Sequence, residues 1–447
     1  MAYGEYRKKW GKWLSTKRID RDLSNSKIIT KDSREQECRS PIESDIGRII
    51  FSQPFRRLAG KTQVHPFSAV DYVHNRLTHS MEVGYVSYEL GKRLASFMLK
   101  IKGDLWEDSQ INEVGLICQA AGLMHDIGNP PYGHAGEDAI RAWASQKQNQ
   151  SRIRRLCGEP VLNDLMHFDG NAQAFRMASN PEPRETGYFK LSLSVLGAMV
   201  KYPFGTNSKM GKTTNKSAAF SSEKEIFDCL MAELDLKESQ RHPLSYITEA
   251  ADDICYRISD FEDAVLMGIM DEESVRNLFL EGMSFECRQK LKGASLQRVK
   301  AKAIGGLIDA FASAFECRYE DIVTGRMEGD LKSAIDERWG GVLARIKQQY
   351  ESIFSERKKV VAEIGSYGQM ECVLGQFLSF LSVIREKDPV PYAQLPFICQ
   401  RLVTLAWGGS DYYEHNNHRD AGWWMHAVLD FVVGMTDGYL HRLSLEM

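Results

Sequence analysis

The sequence predicts an all-α protein. Apolar residues return at steps of three and four through long stretches, and alternating strand patterns are nearly absent. Where a periodic stretch stops, Gly, Asn and Pro cluster, as they do at helix ends.

In chain order, residues 1–47 read as an N-terminal arm with helices, locally basic over the first 40 positions. From Arg76 a helix is expected in which Val83, Val86, Leu90 and Leu94 form one apolar stripe, with His79 one turn ahead of it. Val114, Ile117, Ala121 and Met124 define the next helix, which delivers His125 and Asp126 at its end. Gly128, Asn129, Pro130 and Pro131 then force a tight turn, and a new helix is expected near His134. Residues 203–224 are Lys- and Ser-rich and lack a period, so they read as a mobile surface loop. Within them GTNSKMGKT imitates a phosphate-binding P-loop, but five residues separate its glycines where four are needed, and no strand pattern precedes it. After Pro243, Ile247, Ala251, Ile254, Ile258, Phe261 and Val265 hold one helix face toward a core, while Asp252, Tyr256 and Asp260 step by four along a neighbouring face. Residues 271–447 are further helical sequence. In it KSAIDERWGGVLARIKQQYESIFSERKK is most simply a solvated face and GGSDYYEHNNHRDAGWW an irregular packed connection.

With 447 residues the chain has room for two or three domains, and 43% hydrophobic with 26% charged residues is the balance of a soluble globular protein. No apolar run reaches the length of a bilayer and MAYGEYRKKWGKW lacks the apolar segment of a signal peptide, so no membrane and a cytoplasmic location are expected. The nine scattered cysteines form no CxxC pair and read as small buried hydrophobes. A net charge of −3 gives no global attraction to nucleic acid, so any polyanion contact must be a local patch.

The chemistry concentrates around LMHDIGNPPYGHAGEDAI. His125 and Asp126 leave one helix end together. His79 in RLTHSMEVG and Asp252 in EAADDICYRISDFED come from two other amphipathic stretches. Two imidazoles and two carboxylates suit a divalent first-row metal and not a soft thiolate site. Asp253 is the rival ligand, and Asp252 is preferred because its spacing to Tyr256 and Asp260 makes one face. His134 and Glu137, three apart, share a helix face on which the carboxylate can orient the imidazole; without other information this is a simple interaction in a helix's first turn.

These residues resemble the HD-domain phosphohydrolases, with their H…HD…D pattern. The wider wording, FRRLAGKTQV, NRLTHSMEV, HDIGNPPYGHAGE, HFDGNAQAFR, EAADDICY and FVVGMTDGYL, resembles the deoxyguanosine triphosphate triphosphohydrolase family within them. The likeness covers about Arg48 to Asp263 and reaches the C-terminal part only through the last block. It implies an HD-domain helical core over 48–270 with additional helices in 1–47 and 271–447, the latter for packing and oligomer contacts. It also implies metal-dependent attack at the α-phosphorus of dGTP or another deoxynucleoside triphosphate, releasing a deoxynucleoside and tripolyphosphate. Mn²⁺ or Mg²⁺, or another first-row transition metal, would sit on His79, His125, Asp126 and Asp252. The family pattern makes His134 and Glu137 the acid–base element and assigns phosphate to Arg76 and Lys201. It assigns the deoxyribose to Tyr256 and Asp260, sugar and base to Gln63, and the wall on the metal side to Asn171. A homo-oligomer, with a hexamer among the expected forms, and single-stranded DNA as a modulator are implied likewise. Two departures stand out: Asp169 where Glu is usual, and His65 where an aromatic or apolar residue is common. Alternatives are an HD phosphohydrolase acting on another nucleotide, or a nucleotide- or single-stranded-DNA-binding regulator that retains the fold.

Overall fold

A computed structural model describes residues 4–21, 28–32, 39–66, 70–179, 189–384 and 390–447. Of the N-terminal arm, positions 22–27 and 33–38 lie outside the described residues. The architecture is all-α: 22 α-helices among the described residues, with one antiparallel pair of short strands, Arg18–Arg21 and Ile28–Lys31, in the register Arg18 to Lys31. No helix among the described residues is long and apolar enough to cross a membrane.

The chain forms two compact units interleaved in sequence. One comprises Met1–Ile127, Ala174–Pro203 and Glu225–Val360; the other comprises Gly128–Gln173, Phe204–Lys224 and Val361–Met447. The units therefore cut across the boundary expected at 270, because the C-terminal sequence is shared between them.

In the first unit the helices Arg76–Phe97 and Ser109–Met124 lie antiparallel and unusually close. Glycines face each other across the contact: a Cβ on Gly91 would stand 3.1 Å from the Gly115 Cα, and one on Gly122 would stand 3.0 Å from the Gly84 Cα. Two backbones approach this way only where neither carries a side chain, and dispersion contacts along the seam then hold them. Asn75 caps the first helix, its side chain accepting the N–H groups of Leu77 and Thr78 at 3.0 Å each, while Thr78 bonds back in a capping box. Pro243–Leu266 packs on both helices. It starts with Pro at its first turn and is capped by His242, whose Nδ1 accepts the Leu244 N–H at 3.2 Å while Nε2–H donates to the Trp13 carbonyl at 3.0 Å. The N-terminal helix Arg7–Trp13 is anchored by Trp10, fully buried, which donates to the Tyr319 hydroxyl at 2.8 Å.

The helix Glu337–Phe354, expected as a solvated face, buries Trp339, Val342, Ile346, Tyr350 and Ile353. Its charges occupy only the other side of a three-and-four stripe.

The second unit is built on a core that includes Ile140, Trp143, Phe377, Phe380, Tyr413 and Trp424. The GGSDYYEHNNHRDAGWW stretch is helical over Ser410–Asn416 and again from Ala421, and its Tyr413 and Trp424 fill that core. Residues 203–224, expected to be a loop without period, contain the short helix Lys209–Thr214 and are tied down by buried carboxylates. Asp164, fully buried, accepts from the Thr206 hydroxyl, from Asn207 Nδ2 at 3.0 Å, from the Ser221 N–H at 3.0 Å and hydroxyl, and from His426 Nε2 at 3.1 Å. Asp169 accepts the Ser217 N–H at 2.8 Å. A buried carboxylate satisfied by this many donors fixes the segment that supplies them.

Candidate metal centre

The glycine seam sets the site. Its register pairs 91 with 115 and 84 with 122, so the next turn beyond the seam places His79 opposite His125; their ring centroids are 5.2 Å apart. One ligand atom each from His79, His125 and Asp126 lie within 4.8 Å of one another. Asp252 lies beside this group on the Pro243–Leu266 helix, with its Oδ1 at 3.2 Å from His79 Nε2 and 3.6 Å from His125 Nε2.

The donors are prepared as ligands. His125 Nδ1–H donates to the Gly122 carbonyl at 2.7 Å, which fixes the tautomer and leaves the Nε2 lone pair facing the cluster. That buried Nε2 has no hydrogen-bond partner. Asp126 is pushed up by burial, yet Arg76 at 2.5 Å and the two imidazoles pull it down to about 2. Burial opposes ionisation of Asp252 too, and His125 and His79 hold it below the carboxylate range. Two ionised carboxylates and an unpartnered imidazole lone pair fit a divalent first-row cation.

Asp253, the rival, faces elsewhere, bonded to Lys332 at 2.7 Å and Arg257 at 3.2 Å. Lys201 reaches Glu249 at 3.2 Å; burial lowers its pKa, but that carboxylate more than offsets the effect and raises it. Gln63 is half-buried and its Oε1 has no partner. Asp260 is buried; burial followed by Asp263 pushes its pKa well above the carboxylate range, against a hydrogen bond from Tyr350. Tyr256 stacks on Tyr350 with centroids 5.3 Å apart.

Sequence reasoning missed Tyr350, whose buried hydroxyl meets Asp260; the signal was the apolar stripe it extends in the Glu337–Phe354 helix. It also missed His74, which fixes the entry to the His79 helix. The His74 N–H and Nδ1 both reach Asp263, at 3.0 and 2.7 Å, and Nε2 reaches Glu82 at 3.3 Å. Burial lowers its pKa, but the two carboxylates raise it to about 10, so the ring is an imidazolium between anions.

In the second unit His134 opens the helix His134–Ser145, its side chain 80% exposed and its Nδ1 2.9 Å from Glu137 Oε2. Glu137 is buried; burial raises its pKa, but the His134 bond leads the effects that hold it low. Its other oxygen accepts the Gly170 N–H at 2.7 Å. Asn171 donates its side-chain amide to Asp169 at 2.9 Å. Burial and the nearby Glu137 raise the Asp169 pKa.

A family profile described as HD domain matches residues 76–159. A Pseudomonas aeruginosa (strain LESB58) protein named deoxyguanosinetriphosphate triphosphohydrolase-like protein is 34% identical over 436 residues, 93% of this chain and 95% of its own. A Listeria innocua protein of the same name is 30% identical over 97% of this chain and 98% of its own. The chain belongs to the deoxyguanosinetriphosphate triphosphohydrolase family of HD-domain proteins. A Serratia proteamaculans (strain 568) deoxyguanosinetriphosphate triphosphohydrolase is 37% identical, over 54% of this chain and 53% of its own. Membership makes the chain a phosphohydrolase, and among the described residues His79, His125 and Asp126 form a group that could hold a metal ion.

Proposed function

We propose that this chain hydrolyses deoxynucleoside triphosphates, dGTP above all, to the deoxynucleoside and tripolyphosphate, with a divalent metal held by His79, His125, Asp126 and Asp252. The convergence of these four side chains, drawn from three helices and their ends, carries the reading. When bound, Mn²⁺ or Mg²⁺ would lower the pKa of a coordinated water and polarise the phosphoryl oxygen it touches. The chain's own groups do the rest. Arg76 and Lys201, which are paired with Asp126 and Glu249, bind phosphate oxygens by charge-assisted hydrogen bonds. Asp260, a buried carboxylate one turn beyond Tyr256 on the same helix, accepts the 3′-hydroxyl. Tyr256 packs against the C2′ carbon, Gln63 offers its unpartnered Oε1 to sugar or base, and Asn171 lines the wall. His134 handles the proton taken up by the 5′-oxygen when its bond to the α-phosphorus breaks, and Glu137 holds the ring in one tautomer through Nδ1. The same reading includes a cytoplasmic homo-oligomer, a hexamer among the expected forms, with single-stranded DNA as a modulator.

Purified protein with Mn²⁺ and each of the four deoxynucleoside triphosphates, followed by product identification, tests the proposal. Tripolyphosphate supports it. Orthophosphate or pyrophosphate replaces it with another phosphohydrolase reaction, and saturable binding without turnover with a regulator. His134→Ala should keep the metal and bind dGTP while turnover falls by about 10²–10⁴-fold. Loss of metal from that variant would make His134 a ligand instead.

A further inference from the structure

The FVVGMTDGYL block near the C-terminus has no part in the chemistry above, yet its single carboxylate, Asp437, reaches the turn that launches His134. The turn is strained. Tyr132 has φ of +62°, a left-handed conformation that residues with a Cβ rarely adopt. Gly133 follows with φ of +56° and ψ of −124°. The Gly133 N–H donates to the Pro130 carbonyl at 3.0 Å, and the Glu137 N–H donates to the Gly133 carbonyl at 3.0 Å, so the first turn of the helix is built directly on this bend. The fit leaves no slack: a Cβ on Gly136 would stand 2.0 Å from the Pro131 carbonyl oxygen.

Asp437, buried at the start of the helix Asp437–Glu446, accepts the Tyr132 N–H on Oδ1 at 2.9 Å. The Tyr132 hydroxyl donates to Gln369 Oε1 at 3.0 Å and lies 3.5 Å from the Asp437 carbonyl oxygen. The strained residue is thus gripped at its backbone and at its ring tip by two helices more than 200 residues downstream. We infer that Asp437 is a positioning residue: it latches the Pro130–Gly133 turn in its left-handed form and so sets the direction of the His134 ring. The inference rests on the role of His134 proposed above. It accounts for a carboxylate that is buried, satisfied by a backbone donor and far in sequence from every group it serves.

The test uses the full-length protein with Mn²⁺, dGTP turnover, metal content, thermal unfolding, and the His134 ring signals by NMR in ¹³C-histidine protein, assigned by their loss in His134→Ala. Asp437→Ala should lower kcat by about 10–100-fold, the scale of a misplaced catalytic group, with KM and Mn²⁺ content unchanged and the His134 signals displaced. Asp437→Asn retains a carbonyl oxygen able to accept the same N–H and should restore both kcat and the signals. Parental kcat in Asp437→Ala, an Asn variant as impaired as Ala, or a fall in kcat with the His134 signals unmoved would each overturn the inference. If Asp437→Ala does not fold, Tyr132→Gly decides: glycine takes the left-handed conformation freely. Asp437→Ala in that background should then fold and lose less activity than it would through a latch on tyrosine; an equally unfolded double variant refutes the latch. Should His134→Ala turn over dGTP like the parent, the proton-handling role fails, while displaced His134 signals in Asp437→Ala would still establish the latch.

Discussion

Replacing Gly122 by alanine should separate the two helices that carry His79 and His125 and weaken metal binding before it unfolds the protein. The new Cβ would stand 2.7 Å from Ser87 Oγ, 3.0 Å from the Val83 carbonyl oxygen and 3.0 Å from the Gly84 Cα. Carbon atoms in contact prefer about 3.5–4.0 Å, and two of these three neighbours are backbone, so the helices must part by roughly 0.5–1 Å. Overpacking of this kind costs about 1–3 kcal/mol, from which alanine's better helix propensity recovers about 0.5–1 kcal/mol. The net loss of stability is therefore between about 0 and about 2.5 kcal/mol. The site feels the shift more sharply, because ligand distances tolerate only about 0.2 Å and Gly122 also supplies the carbonyl that fixes His125. Mn²⁺ affinity should fall by about 10–100-fold, the size of effect seen when a ligand's support is disturbed. Calorimetric Mn²⁺ titration with thermal melts would measure both quantities. Gly84→Ala is the control: its Cβ meets the Leu123 side chain at 2.9–3.0 Å, which can turn away, so its metal affinity should fall less. Parental Mn²⁺ affinity in Gly122→Ala would refute the idea that the glycine seam sets the ligand geometry.

Three further outcomes are expected. His125→Ala or Asp126→Ala should abolish hydrolysis and lower metal content as read by elemental analysis; full activity with an empty site would remove the central claim. If Tyr256 packs against C2′, GTP should be a poor substrate beside dGTP, because its extra hydroxyl would be crowded or buried without a partner; comparable turnover of the two contradicts that placement. His242 is buried, and burial lowers its pKa to about 4, with the bond to Trp13 opposing. The folded state therefore binds fewer protons than the unfolded chain between about pH 4 and 6.5. Its contribution is present above pH 6.5 and lost as pH falls toward 4, amounting to about 3 kcal/mol at 1.36 kcal/mol per pKa unit. Urea midpoints at pH 7 and 4.5 should show that drop, and His242→Asn, which can still cap the helix, should flatten it. An equal drop in the Asn variant would assign the acid sensitivity to other groups.

The class of fold was legible in the chain, and so was the candidate group His79, His125 and Asp126 that the structure brings together, because both depend on local spacing. The three-and-four stripes after Arg76, over 114–124 and after Pro243 each became a helix, and the Gly-Asn-Pro-Pro run ended one helix and began the next at His134. A ligand at the end of a helix, or one turn before an apolar stripe, follows from the 3.6-residue period alone. Mixed charge in the Glu337–Phe354 helix concealed a buried face that puts Tyr350 against Tyr256. Polar composition likewise concealed how residues 203–224 are held, since Asp164 and Asp169 anchor them from positions about 40–60 residues earlier. Only tertiary structure showed that Asp252 lies beside the two histidines while Asp253 bonds Lys332, because adjacent residues on a helix point about 100° apart and packing sets what each one meets. It alone revealed that glycines pair across the seam, that His74 sits between Asp263 and Glu82, and that Asp437 grips a turn more than 300 residues away. Periodicity along a chain fixes which side of each helix is apolar; which buried carboxylate meets which donor is settled only when the helices pack, since an unpaired polar group inside the fold costs more than any local preference can return.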